Sequence, residues 1–106
     1  MEEQYLEAIM GLIMHSGNAK SDAMEAIYAA KSGDFQLAEE KMKLAEESLV
    51  LAHQSQTELL TKEAQGEHIT VTLLTVHSQD HLMNAITFKD LAIEMIDVYR
   101  RLDEKD

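Results

Sequence analysis

No proline interrupts this chain of 106 residues, and only four glycines punctuate it. Proline is the strongest helix breaker, so its absence lets a helix run as far as its apolar pattern lasts. Gly33 and Gly66 fall between patterned stretches and mark the joints. The first pattern extends from about Glu2 to Ser32, with Leu6, Ile9, Ile13, Ala23, Ile27 and Ala30 at helical spacing. Gly33 suits the left-handed residue that ends a helix, and Asp34 suits the cap of the next one. The second pattern runs from Phe35 to about Glu63. Phe35, Ala38, Met42, Ala45, Leu49 and Ala52 recur by three and four, continuing through Gln56 to Leu59. On its outer face Glu39 and Lys43 are spaced as a favourable pair. Ala64 to His68 forms the second joint, and Thr70 is the expected N-cap of a third helix reaching about Leu102. Gly11 and Gly17 fall inside the first pattern, and Gly17-Asn18 is the point where that helix is expected to bend or loosen.

Three helices with short joints predict an all-α fold, an antiparallel three-helix bundle in a single domain over residues 1–106. A chain this short supports only a modest core. The third helix is too apolar for a monomer. One face carries Leu73, Val76, Met83, Leu91 and Val98, and another carries Leu74, Ala85, Ala92, Ile96 and Tyr99. Ile86 and Ile93 lie on yet another side. Two neighbouring helices cannot cover all of these, so the third helix is expected to pack inside its own protomer on one side and against other protomers on the other.

The composition narrows the function classes. A formal charge of −11 argues against nucleic acid and against anionic membrane surfaces as partners. Without cysteine there is no disulfide framework, thiol nucleophile or thiolate zinc site. The cytosol is the natural compartment for such a chain. No apolar run is long enough to span a bilayer, and no basic-then-apolar signal opens the sequence.

Within the third pattern stands the run Val76-His77-Ser78-Gln79-Asp80-His81-Leu82-Met83. It places two imidazoles and a carboxylate where a plain bundle helix would carry Leu or Ala. His77 and His81 are four residues apart and share one side of the helix. Leu73, Val76, Asp80, Met83, Thr87, Leu91 and Val98 follow the three-and-four spacing of a coiled-coil seam. Asp80 therefore points into an oligomer interface, where an isolated carboxylate is very unfavourable. One resolution is a hard divalent cation, such as magnesium, held by three copies of Asp80 on a three-fold axis. The other is a protonated or water-bridged Asp80.

His77 lies at the edge of this seam, in a groove between protomers. That position suits a nucleophilic imidazole, which partners must reach. It also suits a structural histidine bonded to a carbonyl. Ser78 and Gln79 are candidate donors to a phosphoryl group, and His81 either orients His77 or packs under Leu74 and Leu82. His15, His53 and His68 are isolated, and His53 reads as structural. Other chemistries find little support. There is no Gly-rich phosphate loop. H-S-Q-D-H lacks a metalloprotease glutamate and a clear third zinc ligand. The paired glutamates Glu39-Glu40 and Glu46-Glu47 read as solvated faces, without the Glu-x-x-His pattern of di-iron bundles.

The run V-H-S-Q-D-H-L-M-N-A-I, residues 76–86, resembles the active-site segment of the IIA component of the lactose/cellobiose (N,N′-diacetylchitobiose) class of the bacterial sugar phosphotransferase system. Ser16-Gly17-Asn18-Ala19-Lys20-Ser21, Gly33-Asp34-Phe35, Ala52-His53-Gln54-Ser55-Gln56-Thr57, Phe88-Lys89-Asp90-Leu91 and Tyr99-Arg100 extend the likeness over the whole chain. Ser78 stands where relatives often carry Gly or Ala. The resemblance implies a homotrimer of helical bundles assembled through the C-terminal helix, with a phosphorylated histidine at His77. It also implies a metal-binding aspartate at Asp80, one from each of three protomers. It further implies a relay in which His77 takes a phosphoryl group from the phosphocarrier HPr and passes it to a cysteine of a IIB component, without direct contact with the sugar. The rival reading from another class is an acidic helical oligomer that serves as an interaction scaffold. Uptake of acid-labile phosphate separates the two.

Overall fold

The computed structural model describes residues 3–105 as three helices: α1 (Glu3–Lys31), α2 (Phe35–Ala64) and α3 (Leu73–Glu104). The up-down-up order expected from the apolar pattern is present. The bundle is a rod of 58 × 20 × 16 Å.

Both joints are built the same way. Gly33 has φ +84° and Gly66 φ +91°, conformations that L side chains rarely adopt. At the first joint the Gly33 amide donates to the Ala30 carbonyl at 3.0 Å and the Asp34 amide to that of Ala29 at 2.9 Å. At the second, the Gly66 amide donates to Glu63 at 3.0 Å and the Glu67 amide to Lys62 at 3.0 Å. These paired bonds satisfy the carbonyls left over at a helix end. Asp34 then caps α2, its carboxylate accepting from the Leu37 amide at 3.1 Å.

The start of α3 differs from expectation. Thr72, not Thr70, is the N-cap: its hydroxyl accepts from the Thr75 amide at 3.2 Å. Thr70-Val71-Thr72 carries three β-branched side chains in a row, which favour extended backbone. Thr72 is extended at φ −120° and ψ 170°. Thr70 contributes its carbonyl instead, accepting from the Thr75 hydroxyl at 3.2 Å. The expected weak point in α1 also resolves differently, since the helix runs unbroken through Gly17-Asn18. One helical glycine costs about 1 kcal/mol, which packing along two neighbours readily offsets.

The core is narrow. Ile9, Leu12 and Leu82 are its largest fully buried apolar side chains, and around them lie mainly alanines, including Ala19, Ala23, Ala26, Ala38, Ala45, Ala52, Ala85 and Ala92. Small side chains let the helices approach closely. At Gly11 even a methyl group would come within 3.0 Å of the Ser55 hydroxyl. Across the rim Lys41 reaches Glu25 at 2.8 Å, and that hydrogen bond and charge raise the lysine pKa above its ordinary value.

The chain thus buries its small apolar residues and exposes many large ones. Leu73, Val76, Met83, Leu91 and Val98 are 45 to 86% exposed. Every member of the expected α3 seam, Asp80 and Thr87 included, is open in the protomer. The opposite face of α3, with Ser78, Leu82, Ala85, Ala92 and Ile96, is the one that packs inside.

Candidate functional site

The Thr72 cap sets where α3 begins and so which way each later side chain points. Each residue of an α-helix turns the side chain by about 100°. Relative to Asp80, His77 and His81 fall about 60° and 100° round on one flank, Gln79 about 100° round on the other, and Ser78 almost opposite. Burial follows this wheel. Asp80 and His77 are exposed, Gln79 and His81 half-buried, and Ser78 has no exposed surface.

The two imidazoles meet. Their ring centroids are 4.5 Å apart and the planes stand at 87°, an edge-to-face contact. Of the two places expected for His81, beside His77 or under Leu74 and Leu82, the contact with His77 is present. Leu73 and Leu74 line a shallow depression beside His77. The same flank faces α1, whose Lys20 lies 5.9 Å from the centre of the Phe88 ring.

Ser78 does not take the role expected from its neighbourhood in sequence. It is buried in its own bundle, and its hydroxyl donates to the Thr75 carbonyl at 2.6 Å. Its proton is committed there, on the side of the helix away from the seam. Gln79 remains available. Its carbonyl oxygen accepts a 2.8 Å hydrogen bond from the Gln56 amide of α2, which leaves its own NH2 group to donate. Gln56 was not singled out by sequence reasoning. The signal was a polar residue continuing the apolar stripe of α2.

The remaining histidines lie elsewhere. His53 is exposed at the lip of a groove between α2 and α3, with Ile86 and Lys89 opposite. His68 is exposed in the joint before α3, and His15 is half-buried on α1.

Asp80 is the one carboxylate of the run Val76–Met83. Among the described residues no group of three or more His, Asp or Glu side chains could hold a metal ion within one chain. The donor set of a single protomer therefore does not make a cation site. A carboxylate on an apolar stripe fits a hard cation only when symmetry brings further copies to it.

Comparison with known proteins identifies the family. The family described as "PTS system, Lactose/Cellobiose specific IIA subunit" matches residues 7–100. The lichenan-specific phosphotransferase enzyme IIA component of Bacillus subtilis is 51% identical over 105 residues, covering 99% of this chain and 96% of its own. The crystal structure of the cellobiose-specific enzyme IIA from Bacillus anthracis superposes with a TM-score of 0.96 at 47% identity, over 100% of this chain and 97% of that one. A IIA(chitobiose) chain, solved in solution in complex with HPr from the N,N′-diacetylchitobiose branch of the Escherichia coli system, gives a TM-score of 0.82. It is 38% identical, over 97% of this chain and 99% of that one. Fold and likeness together define the class, a IIA component of a sugar phosphotransferase system. Within that class the chain belongs to the lactose/cellobiose-specific IIA subunits. None of its helices is long and apolar enough to cross a membrane, among the described residues.

Proposed function

We propose that the protein is a phosphoryl carrier that accepts phosphate from phospho-HPr on His77 and passes it to a IIB component of the same permease. The observation that carries this reading is an exposed His77, in edge-to-face contact with His81, at the border of an apolar stripe that its own bundle leaves open. An unprotonated ring nitrogen of His77 supplies the electron pair. As the new N–P bond forms, the donor's N–P bond breaks and its electron pair returns to the donor imidazole. The onward step is the same displacement with a IIB thiolate as nucleophile. Little covalent work falls to the protein, so positioning and donors to the phosphoryl oxygens carry the catalysis. The sugar meets the later components and not this one.

The active form is a homotrimer, with the α3 seams of three protomers facing a common axis. The support is the fully open seam, too apolar for solvent along its length. Three Asp80 carboxylates would hold a divalent cation there, with magnesium suited to oxygen ligands. The cation would neutralise their mutual repulsion and support assembly, leaving phosphoryl transfer to the histidine.

The test is incubation with enzyme I, HPr and phosphoenolpyruvate, followed by mapping of the acid-labile phosphate. Label is expected on His77, and His77→Ala is expected to take up none while keeping its helicity. Normal labelling of that variant, or label on another histidine, overturns the assignment.

A further inference from the structure

The hydrogen bond between Gln56 and Gln79 is hard to explain by stability. It joins two flexible side chains, and ordering them costs up to about 2 kcal/mol each. A neutral, part-buried hydrogen bond returns only about 1 kcal/mol. An aliphatic pair at this contact of α2 and α3 would hold the helices together better. What the pair does supply is orientation. With its carbonyl oxygen accepting from Gln56 at 2.8 Å, the Gln79 carboxamide turns its NH2 away from α2. A phosphoryl group carries only acceptor oxygens, and it needs such donors.

The donor does not face the histidine of its own chain. His77 and Gln79 are two residues apart and lie on opposite flanks of α3, as the burial pattern and their neighbours show. His77 is on the flank that turns to α1, and Gln79 is on the flank that turns to α2. Around a three-fold axis through the Asp80 stripe, the α1-side flank of each α3 faces the α2-side flank of the next. His77 of one protomer then meets Gln79 of its neighbour.

We propose that Gln56 is a positioning residue of the phosphoryl site, holding the Gln79 carboxamide with its NH2 presented to His77 of the adjacent protomer. This rests on the trimeric phosphocarrier reading above. Gln56→Glu gives the sharpest test, because it keeps the length and the hydrogen bond but can only accept. Gln79 must then turn its NH2 inward and its carbonyl oxygen toward the phosphoryl group.

The rate of phosphate uptake from phospho-HPr is expected to fall roughly ten- to hundredfold in Gln56→Glu, as for loss of a donor to developing charge. Gln79→Leu should fall alike, with melting temperature and sedimentation of both variants near wild type. The Gln79 side-chain amide signals in nitrogen-15 spectra should move on phosphorylation in the wild type and not in Gln56→Glu. Trimers reassembled from His77→Ala and Gln79→Leu chains should recover rate, since a Gln79→Leu chain keeps its His77 and receives Gln79 from its neighbour. Wild-type uptake by Gln56→Glu overturns the positioning role, and no recovery on mixing overturns supply from the neighbour. Wild-type protein run alongside separates these from failure of the underlying reading. If it takes no label on His77, both fall together.

Discussion

Leu91 sits in the middle of the α3 seam and is 60% exposed in the protomer. If the seam stays in water, Leu91→Ala should change stability by no more than about 0.5 kcal/mol, as for other surface positions. If three seams meet, the result is different and can be worked out. Truncation removes three carbons, about 2.4 kcal/mol of transfer free energy at about 0.8 kcal/mol per methylene. The exposed 60% leaves roughly 1.4 kcal/mol per protomer to be gained on assembly. Three protomers make about 4 kcal/mol, or about 10³ in the trimer association constant. For a monomer–trimer equilibrium the midpoint concentration varies as the square root of that constant. The midpoint of the variant should therefore rise about 30-fold. Sedimentation across a dilution series measures it directly, and thermal melting should become concentration-dependent in the same range. Leu82→Ala is the contrast, since Leu82 is wholly buried in its own bundle and should cost about 2–5 kcal/mol of protomer stability. Wild-type protein that sediments as a monomer, or a Leu91→Ala midpoint equal to wild type, would refute the seam.

Two further outcomes test the seam and the core. Asp80→Leu should lose any response to chelator and melt at or above wild type, by roughly 1–4 kcal/mol in the manner of buried ionic groups replaced with apolar ones. Asp80→Asn should lose the chelator response without that gain, and a wild type whose melting no chelator shifts removes the structural cation. The Ser16 hydroxyl is buried and has no hydrogen-bond partner among the described residues. Ser16→Ala should therefore raise the urea midpoint, by about 1–3 kcal/mol of stability, and a loss of stability would show that the hydroxyl is satisfied after all.

The joints were legible because each needs chemistry that few residues supply. Gly33 and Gly66 alone combine a left-handed conformation with a break in the apolar pattern. Asp34 follows as the expected cap. The start of α3 was harder, since Thr70 and Thr72 are equally good caps in isolation. The choice depends on which one Thr75 can bond, and that is a matter of three-dimensional register. Ser78 differs from its expected place for another reason. Nearness along the chain to His77 is not nearness in space, and one helical step of about 100° carries Ser78 into the core. Gln56 went unassigned because its partner lies 23 residues away on another helix. Periodicity shows which face of a helix a residue occupies, not which residue of a neighbouring helix it meets.

The proposed trimer would place assembly and chemistry on one helix. A histidine at the centre of an apolar seam would be covered by the partners that seal it, while a histidine far from the seam would have only its own chain to orient it. His77 lies about 60° from Asp80, so in the proposed trimer assembly would fix its surroundings and still leave it open. The flank opposite carries the Gln79 donor, braced from α2. Because the two flanks of one helix diverge, His77 and Gln79 of a single chain do not face one another, whereas the proposed closed ring of parallel helices would bring them together at every interface. The H-x-Q-D-H spacing of residues 77–81 fits that proposed ring: Asp80 on the open stripe, His77 and His81 on one flank and Gln79 on the other, with the intervening Ser78 left to pack inside the bundle.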